Sequence, residues 1–231
     1  MQAWGYDSRY GRRDTFRFPT RSGLFGLLAA ARGIGGDARE FLSTLQPVGV
    51  AVCAFPPAQT GPDGKGRASE LPVIIEDFQM VGSAYDLNDP WESLMRPRTS
   101  DGKRPVGEGT KMTFRYYLAD MAYGAVLACE EELAVVLFDA LQKPVWDLYL
   151  GRKACVPTET IAHGVHEDLE KAHTALYQTA QSKGRIPSQW LMESAPDNGL
   201  FEDEQVLNDV PVAFGGHPSY APRKVYICGA E

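Results

Sequence analysis

Net positive charge is absent from this sequence. Lys and Arg total 23 against 30 Asp and Glu, giving a formal net charge of −7. That excludes an indiscriminate nucleic-acid binder held by bulk charge, but not a local basic face. Clustered metal ligands are absent too. Cys53, Cys129, Cys155 and Cys228 form no CxxC pair, and His163 and His166 have HxxH spacing with nothing to complete a site. No metal site is therefore expected. Isolated cysteines fit reduced thiols and a cytoplasmic location. No apolar run reaches bilayer-spanning length, and MQAWGYDSRYGRRD has no apolar signal region, so no membrane attachment is expected. GxSxG, P-loop and GxGxxG patterns are missing, and no cofactor is implied.

What is present begins with polarised charge. Residues 1–50 hold seven arginines against four acids, whereas residues 154–231 hold five basic and eleven acidic residues. With 44% hydrophobic residues in 231, the chain can bury a core. Pro19-Thr20-Arg21-Ser22 starts a helix and Gly33 stops it, with Leu24, Leu27, Leu28 and Ala31 along one face. Gly23 and Gly26 inside it each cost roughly 1 kcal/mol, which points to close approach of a backbone or a ligand. Strands are predicted at 48–55, 73–81, 110–118 and 121–129. Met112, Phe114, Tyr116 and Leu118 share one face of the third; Lys111, Thr113, Arg115 and Tyr117 share the other. Residues 56–70 and 86–109 read as long loops, and 73–118 as a protruding arm. Glu130-Glu131-Glu132 opens a second helix. The C-terminal part, 154–231, reads as less regular, with a helix over 164–182 and a last strand at 223–228. The order is an α+β, ferredoxin-like half-pattern within one unit spanning 1–231, and no strand is predicted before the first helix.

Residues 9–23 bring Arg9, Arg12, Arg13, Arg17 and Arg21 together with Tyr10, Phe16 and Phe18, ending on Thr20 and Ser22 at a helix start. Arginine forks and helix N–H groups suit phosphate, and aromatic rings suit unpaired bases. A solvated basic loop over core aromatics remains an equal alternative. Tyr149, Gly151, Arg152 and Lys153 form a second basic turn, for which a plain surface turn is the simpler reading.

The stretches MQAWG and RFPTRSGLFGLLAAARGI, then EDFQMVGSAYD, GTKMTFRYYLADMAYGAVL, LYLGRKACVPTETI and RKVYICG, resemble in order the CRISPR-associated CasD family. This family is the subunit of type I-E Cascade that binds the guide handle. The resemblance implies an RNA-recognition-like core with a thumb. It also implies a non-catalytic role gripping the 5′ handle of the crRNA, beside backbone subunits and a large subunit, with target DNA reached through the guide. Carried onto this sequence, it implies RNA contacts from Gln2 and Trp4, from Arg17, Thr20, Arg21 and Ser22, and from Phe78, Gln79, Met80 and Arg115. The turn adds Tyr149, Gly151, Arg152 and Lys153. Family members begin with an apolar strand ahead of the MQAWG-like segment, and Met1 stands where that segment starts. A missing first core strand is thus expected, with exposed strand edges.

Two competing functions remain at this level. One is a metal-independent endoribonuclease that processes precursor crRNA, as in type I-C relatives. All four histidines lie after residue 160, away from the matched arm. The other is a protein-only scaffold that uses the arginines as an interface.

Overall fold

The computed structural model describes every residue except 6, 7, 9, 10, 61–65, 69–71, 82–87, 96, 97, 104–110, 197, 198 and 231. Three two-residue strands come first: β1 (Trp4–Gly5), β2 (Arg12–Arg13) and β3 (Thr15–Phe16). Helices α1 (Arg21–Ala31) and α2 (Arg39–Leu45) lead into β4 (Gly49–Phe55) and a small hairpin, β5 (Ala58–Thr60) with β6 (Gly66–Ala68). The arm is β7 (Val73–Val81), α3 (Pro90–Met95) and β8 (Lys111–Ala119). The chain continues through β9 (Ala122–Ala128), α4 (Glu131–Gln142), α5 (Leu169–Ser182), β10 (Gln189–Met192), β11 (Asp203–Ala213) and β12 (Ser219–Gly229).

The fold is α+β. Its main sheet is antiparallel, in the order β11-β12-β10-β4-β9. Two expectations are corrected here. The part after residue 154 is not irregular: it supplies three of the five strands of this sheet. Strand segments also precede the first helix, although none of those described joins the main sheet.

Alternation along each strand assigns its two faces. Val50, Val52 and Ala54 of β4, Leu191 of β10 and Val225 of β12 point into a core with Phe25 and Leu28 of α1, Leu42 and Leu45 of α2, and Leu137 of α4. Cys53, Phe55, Trp190 and Cys228 point the other way, against Leu176, Tyr177 and Ala180 of α5. A helix therefore covers each side. Burial pushes the Cys53 thiol up to about 12, which leaves it inert at neutral pH.

Helix α5 is fastened by Trp190, whose indole N–H donates to the Tyr177 hydroxyl at 2.9 Å while its ring lies 4.5 Å from that of His173. Burial there lowers the His173 pKa below the ordinary imidazole value. The unfolded chain takes up this proton near pH 6.5, and the native chain takes it up only at lower pH. Stability thus falls as pH drops below about 6.5, and levels off once the native pKa is passed. His173→Leu is expected to flatten this stretch of the curve, measured as urea midpoint against pH.

Candidate nucleic-acid interface

The arm is a twisted ribbon in which β8 pairs antiparallel with β7 and parallel with β2. Cross-strand partners share a face. One face carries Ile74, Glu76, Phe78 and Met80 opposite Leu118, Tyr116, Phe114 and Met112, and Arg12 stands beside Phe114. Most of its apolar side chains face solvent, Phe78 at 51% and Met80 at 59% exposure. The Phe78 and Phe114 rings sit 5.0 Å apart, and the Arg12 guanidinium lies over Tyr116 at 4.7 Å. Tyr116 donates to Glu76 at 2.5 Å, which raises its pKa.

The opposite face carries Val73, Ile75 and Tyr117 at its core end and polar residues beyond them. Arg13 registers with Arg115, Asp77 with Arg115, and Gln79 with Thr113. Gln79 donates to Asp77 at 2.7 Å. At the base of this face the Arg152 guanidinium lies 5.1 Å from the centre of the Tyr117 ring. It donates to the Tyr116 carbonyl at 3.0 Å and to the Arg13 and Asp14 carbonyls at 2.6 and 3.1 Å. Lys153, next along the turn, is exposed.

The expected contacts therefore divide. Phe78 and Met80 fall on the aromatic face, and Gln79 and Arg115 on the polar part of the other. Arg12, Arg13, Arg17 and Lys153 are exposed, and Tyr149 is half-buried. Arg9 lies outside the described residues. Gln2 and Trp4 are interior: Trp4 is 2% exposed, and its indole N–H donates to the Gln2 side chain at 3.1 Å. Gln2 also bridges to Leu118 by two backbone bonds. A Cβ on Gly23 would meet the Trp4 ring at 2.7 Å, so a side chain, not the backbone or ligand expected, packs against this glycine, and a Cβ on Gly26 would meet nothing closer than Phe214 at 3.9 Å.

The start of α1 is occupied by the protein itself. Thr20, 2% exposed, accepts from the Gly23 N–H, and Asp209 accepts from the Arg21 N–H at 2.7 Å. The Arg21 side chain is 7% exposed. It pairs with Glu193 at 2.5 Å and donates to the Leu45 and Gln46 carbonyls. Arg223 joins the same cluster, 2.7 Å from both Glu193 and Asp209. Asp209 thus lies where a phosphate would have to bind, and Ser22, half-buried, points its hydroxyl at Thr20.

Nothing local in the sequence marks Glu193, Asp209 and Arg223. The alternation in TKMTFRYYL puts Phe114 and Tyr116 on one face of a strand, but neither is among the expected contacts.

Residues 1–226 match the family model described as CRISPR-associated protein (Cas_Cas5). The chain belongs to this family. Among its relatives is the CRISPR system Cascade subunit CasD of Escherichia coli (strain K12), 33% identical over 168 residues. That alignment covers 71% of this chain and 66% of the relative, just under two thirds of its length. The fold also matches a chain of a solved CRISPR RNA-guided surveillance complex, with TM-score 0.68, 25% identity and coverage of 100% of this chain and 86% of that one. A second solved structure, a Cas protein, aligns at TM-score 0.55 and 22% identity over 99% of this chain and 89% of its own, and shows the fold alone. Among the described residues no helix is long and apolar enough to cross a membrane, and no group of His, Cys, Asp and Glu is assembled to hold a metal.

Proposed function

We propose that this chain is a non-catalytic, cytoplasmic subunit of a type I-E Cascade-like complex that holds the single-stranded 5′ handle of the crRNA across the base of its arm. One observation carries the reading. Exposed Arg13 pairs in register with Arg115 on one face of the arm, exposed Arg12 lies beside uncovered aromatic rings on the other, and Lys153 is exposed in the turn whose Arg152 holds the Arg13 backbone. An arm of this kind takes phosphates on its cations and unpaired bases on its rings. Helix α5 covers the sheet face on which an RNA-recognition fold stacks bases, and the arm offers an exposed aromatic surface in its place. Gln2 and Trp4 support this site from the interior, Gln2 through its backbone bonds to Leu118 of β8, whereas Thr20 and Arg21 anchor α1 to the main sheet. Backbone and large subunits of the complex are the neighbouring partners, and target DNA is reached through guide pairing.

The test is a titration of repeat-derived RNA in EDTA at several salt concentrations. Steep salt dependence without cleavage is expected; cleavage, or no binding at low salt, overturns the reading. Within that assay Arg13→Ala combined with Arg115→Ala is expected to reduce the slope of log K against log salt by about two. Phe78→Ala and Phe114→Ala are expected to cost about 1–3 kcal/mol per unstacked base with the slope unchanged. If all four substitutions altered the slope alike, the division of the arm into phosphate and base faces would be wrong.

A further inference from the structure

We infer that Arg152 acts as a positioning residue: it clamps the basic strand β2 to the arm, so that Arg12 is held on its aromatic face and Arg13 beside Arg115 on the other. The inference rests on the proposed RNA reading for its consequence, but on geometry for its content. Strand β2 has two residues, and a parallel pairing that short has little stability of its own. Besides the register with Phe114 and Arg115, the described residues here supply a backbone bond from the Phe114 N–H to the Gly11 carbonyl at 2.8 Å. The Arg12 guanidinium over Tyr116 and the Trp4 N–H donating to the Thr15 hydroxyl add side-chain contacts, and Arg152 adds the largest set. Its two terminal nitrogens donate to three carbonyls, Tyr116 on β8 and Arg13 and Asp14 on the basic strand and its exit. Its flat face rests on Tyr117, itself buried.

The turn that carries Arg152 is fixed in its own right. Leu150 N–H donates to the Cys155 carbonyl and Cys155 N–H to the Arg152 carbonyl, both at 2.8 Å, and Ala3 N–H donates to the Leu150 carbonyl at 3.1 Å. A rigid base therefore aims a planar fork at two segments far apart in sequence. Lysine has one compact ammonium and cannot span three carbonyls while lying flat on a ring. The guanidinium is directed at backbone oxygens, so its role is to hold the neighbouring arginines in place. Losing it frees Arg12 from Tyr116 and Arg13 from Arg115, and several phosphate contacts fail at once.

The experiment compares the full chain with Arg152→Ala, Arg152→Lys and Lys153→Ala. Amide hydrogen exchange is read over residues 12–16 and over β4 and β12, and binding of a single-stranded oligouridylate is read against salt. Both Arg152 variants are expected to speed exchange in 12–16 at least about tenfold, with β4 and β12 unchanged. Their salt slopes are expected to fall by more than one. Lys153→Ala, a direct contact, is expected to lower the slope by about one with exchange unchanged. Unchanged exchange in 12–16, wild-type behaviour in Arg152→Lys, or accelerated exchange throughout β4 and β12 would overturn the clamp. Failure of the wild-type chain to bind the oligouridylate at any salt would count against the RNA reading, while the exchange data would still decide the role of Arg152.

Discussion

Gly151→Ala is expected to lower the urea midpoint by the equivalent of about 3 kcal/mol and to abolish RNA binding at the arm base. Gly151 has φ of +89°, and a Cβ built there would lie 1.8 Å from the Ala3 carbonyl oxygen, well inside contact distance. The neighbour cannot step aside cheaply. Ala3 is bonded through its N–H to Leu150, Gln2 is bonded through its N–H and C=O to Leu118, and Trp4 is wedged into the core. Either the N-terminal segment leaves its place or the 149–155 turn does, and the turn carries Arg152 and Lys153. Gly36→Ala is the matched control. It also has positive φ, +70°, but nothing lies within 4 Å of its Cβ position. Only left-handed backbone strain of about 1–2 kcal/mol is expected there. Equal losses from the two variants, measured by urea denaturation, would show that the approach of Ala3 does not set the requirement for glycine.

Asp209→Ala is expected to cost about 3–5 kcal/mol, because it strands a buried arginine. Asp209 receives the Arg223 fork through both oxygens, at 2.7 and 2.8 Å, and the same carboxylate caps the first N–H of α1. Removing it leaves Glu193 as the remaining carboxylate between Arg21 and Arg223. Adding Arg223→Met should recover part of the loss, since a buried cation without its partner is worse than an apolar side chain of similar length. Asp37→Ala, in an exposed pair with Arg39, should leave the urea midpoint unmoved. If Asp209→Ala were as mild as Asp37→Ala, the cluster would not be what anchors α1 to β11 and β12.

These two variants separate what was readable from what was not. The Leu24, Leu27, Leu28 and Ala31 spacing and the β4 alternation each need only a period, and each appears as an element. The arm was equally legible: apolar and polar side chains alternate through TKMTFRYYL, and that pattern alone separates Phe114 from Arg115. The C-terminal strands were harder to read. Strand β11, DEQVLNDVPVA, is rich in acids and contains Pro211, and its register with β12 shifts on either side of Val210 and Pro211. Such a segment becomes a strand through its partner rather than its own propensity. Helix α2 is only seven residues long, too short for its periodicity to stand out.

The arginines draw the same line inside the site. Arg13 and Arg21 look alike in sequence, each in a basic, aromatic stretch ahead of a helix. One is exposed on the arm; the other is buried among carboxylates 172 and 188 residues away. Sequence by itself determined the local periods, the two faces of the arm, the basic start of the chain and its CRISPR-associated family. Only the tertiary structure decided which cations reach solvent, because burial and ion pairing depend on partners that no local pattern records.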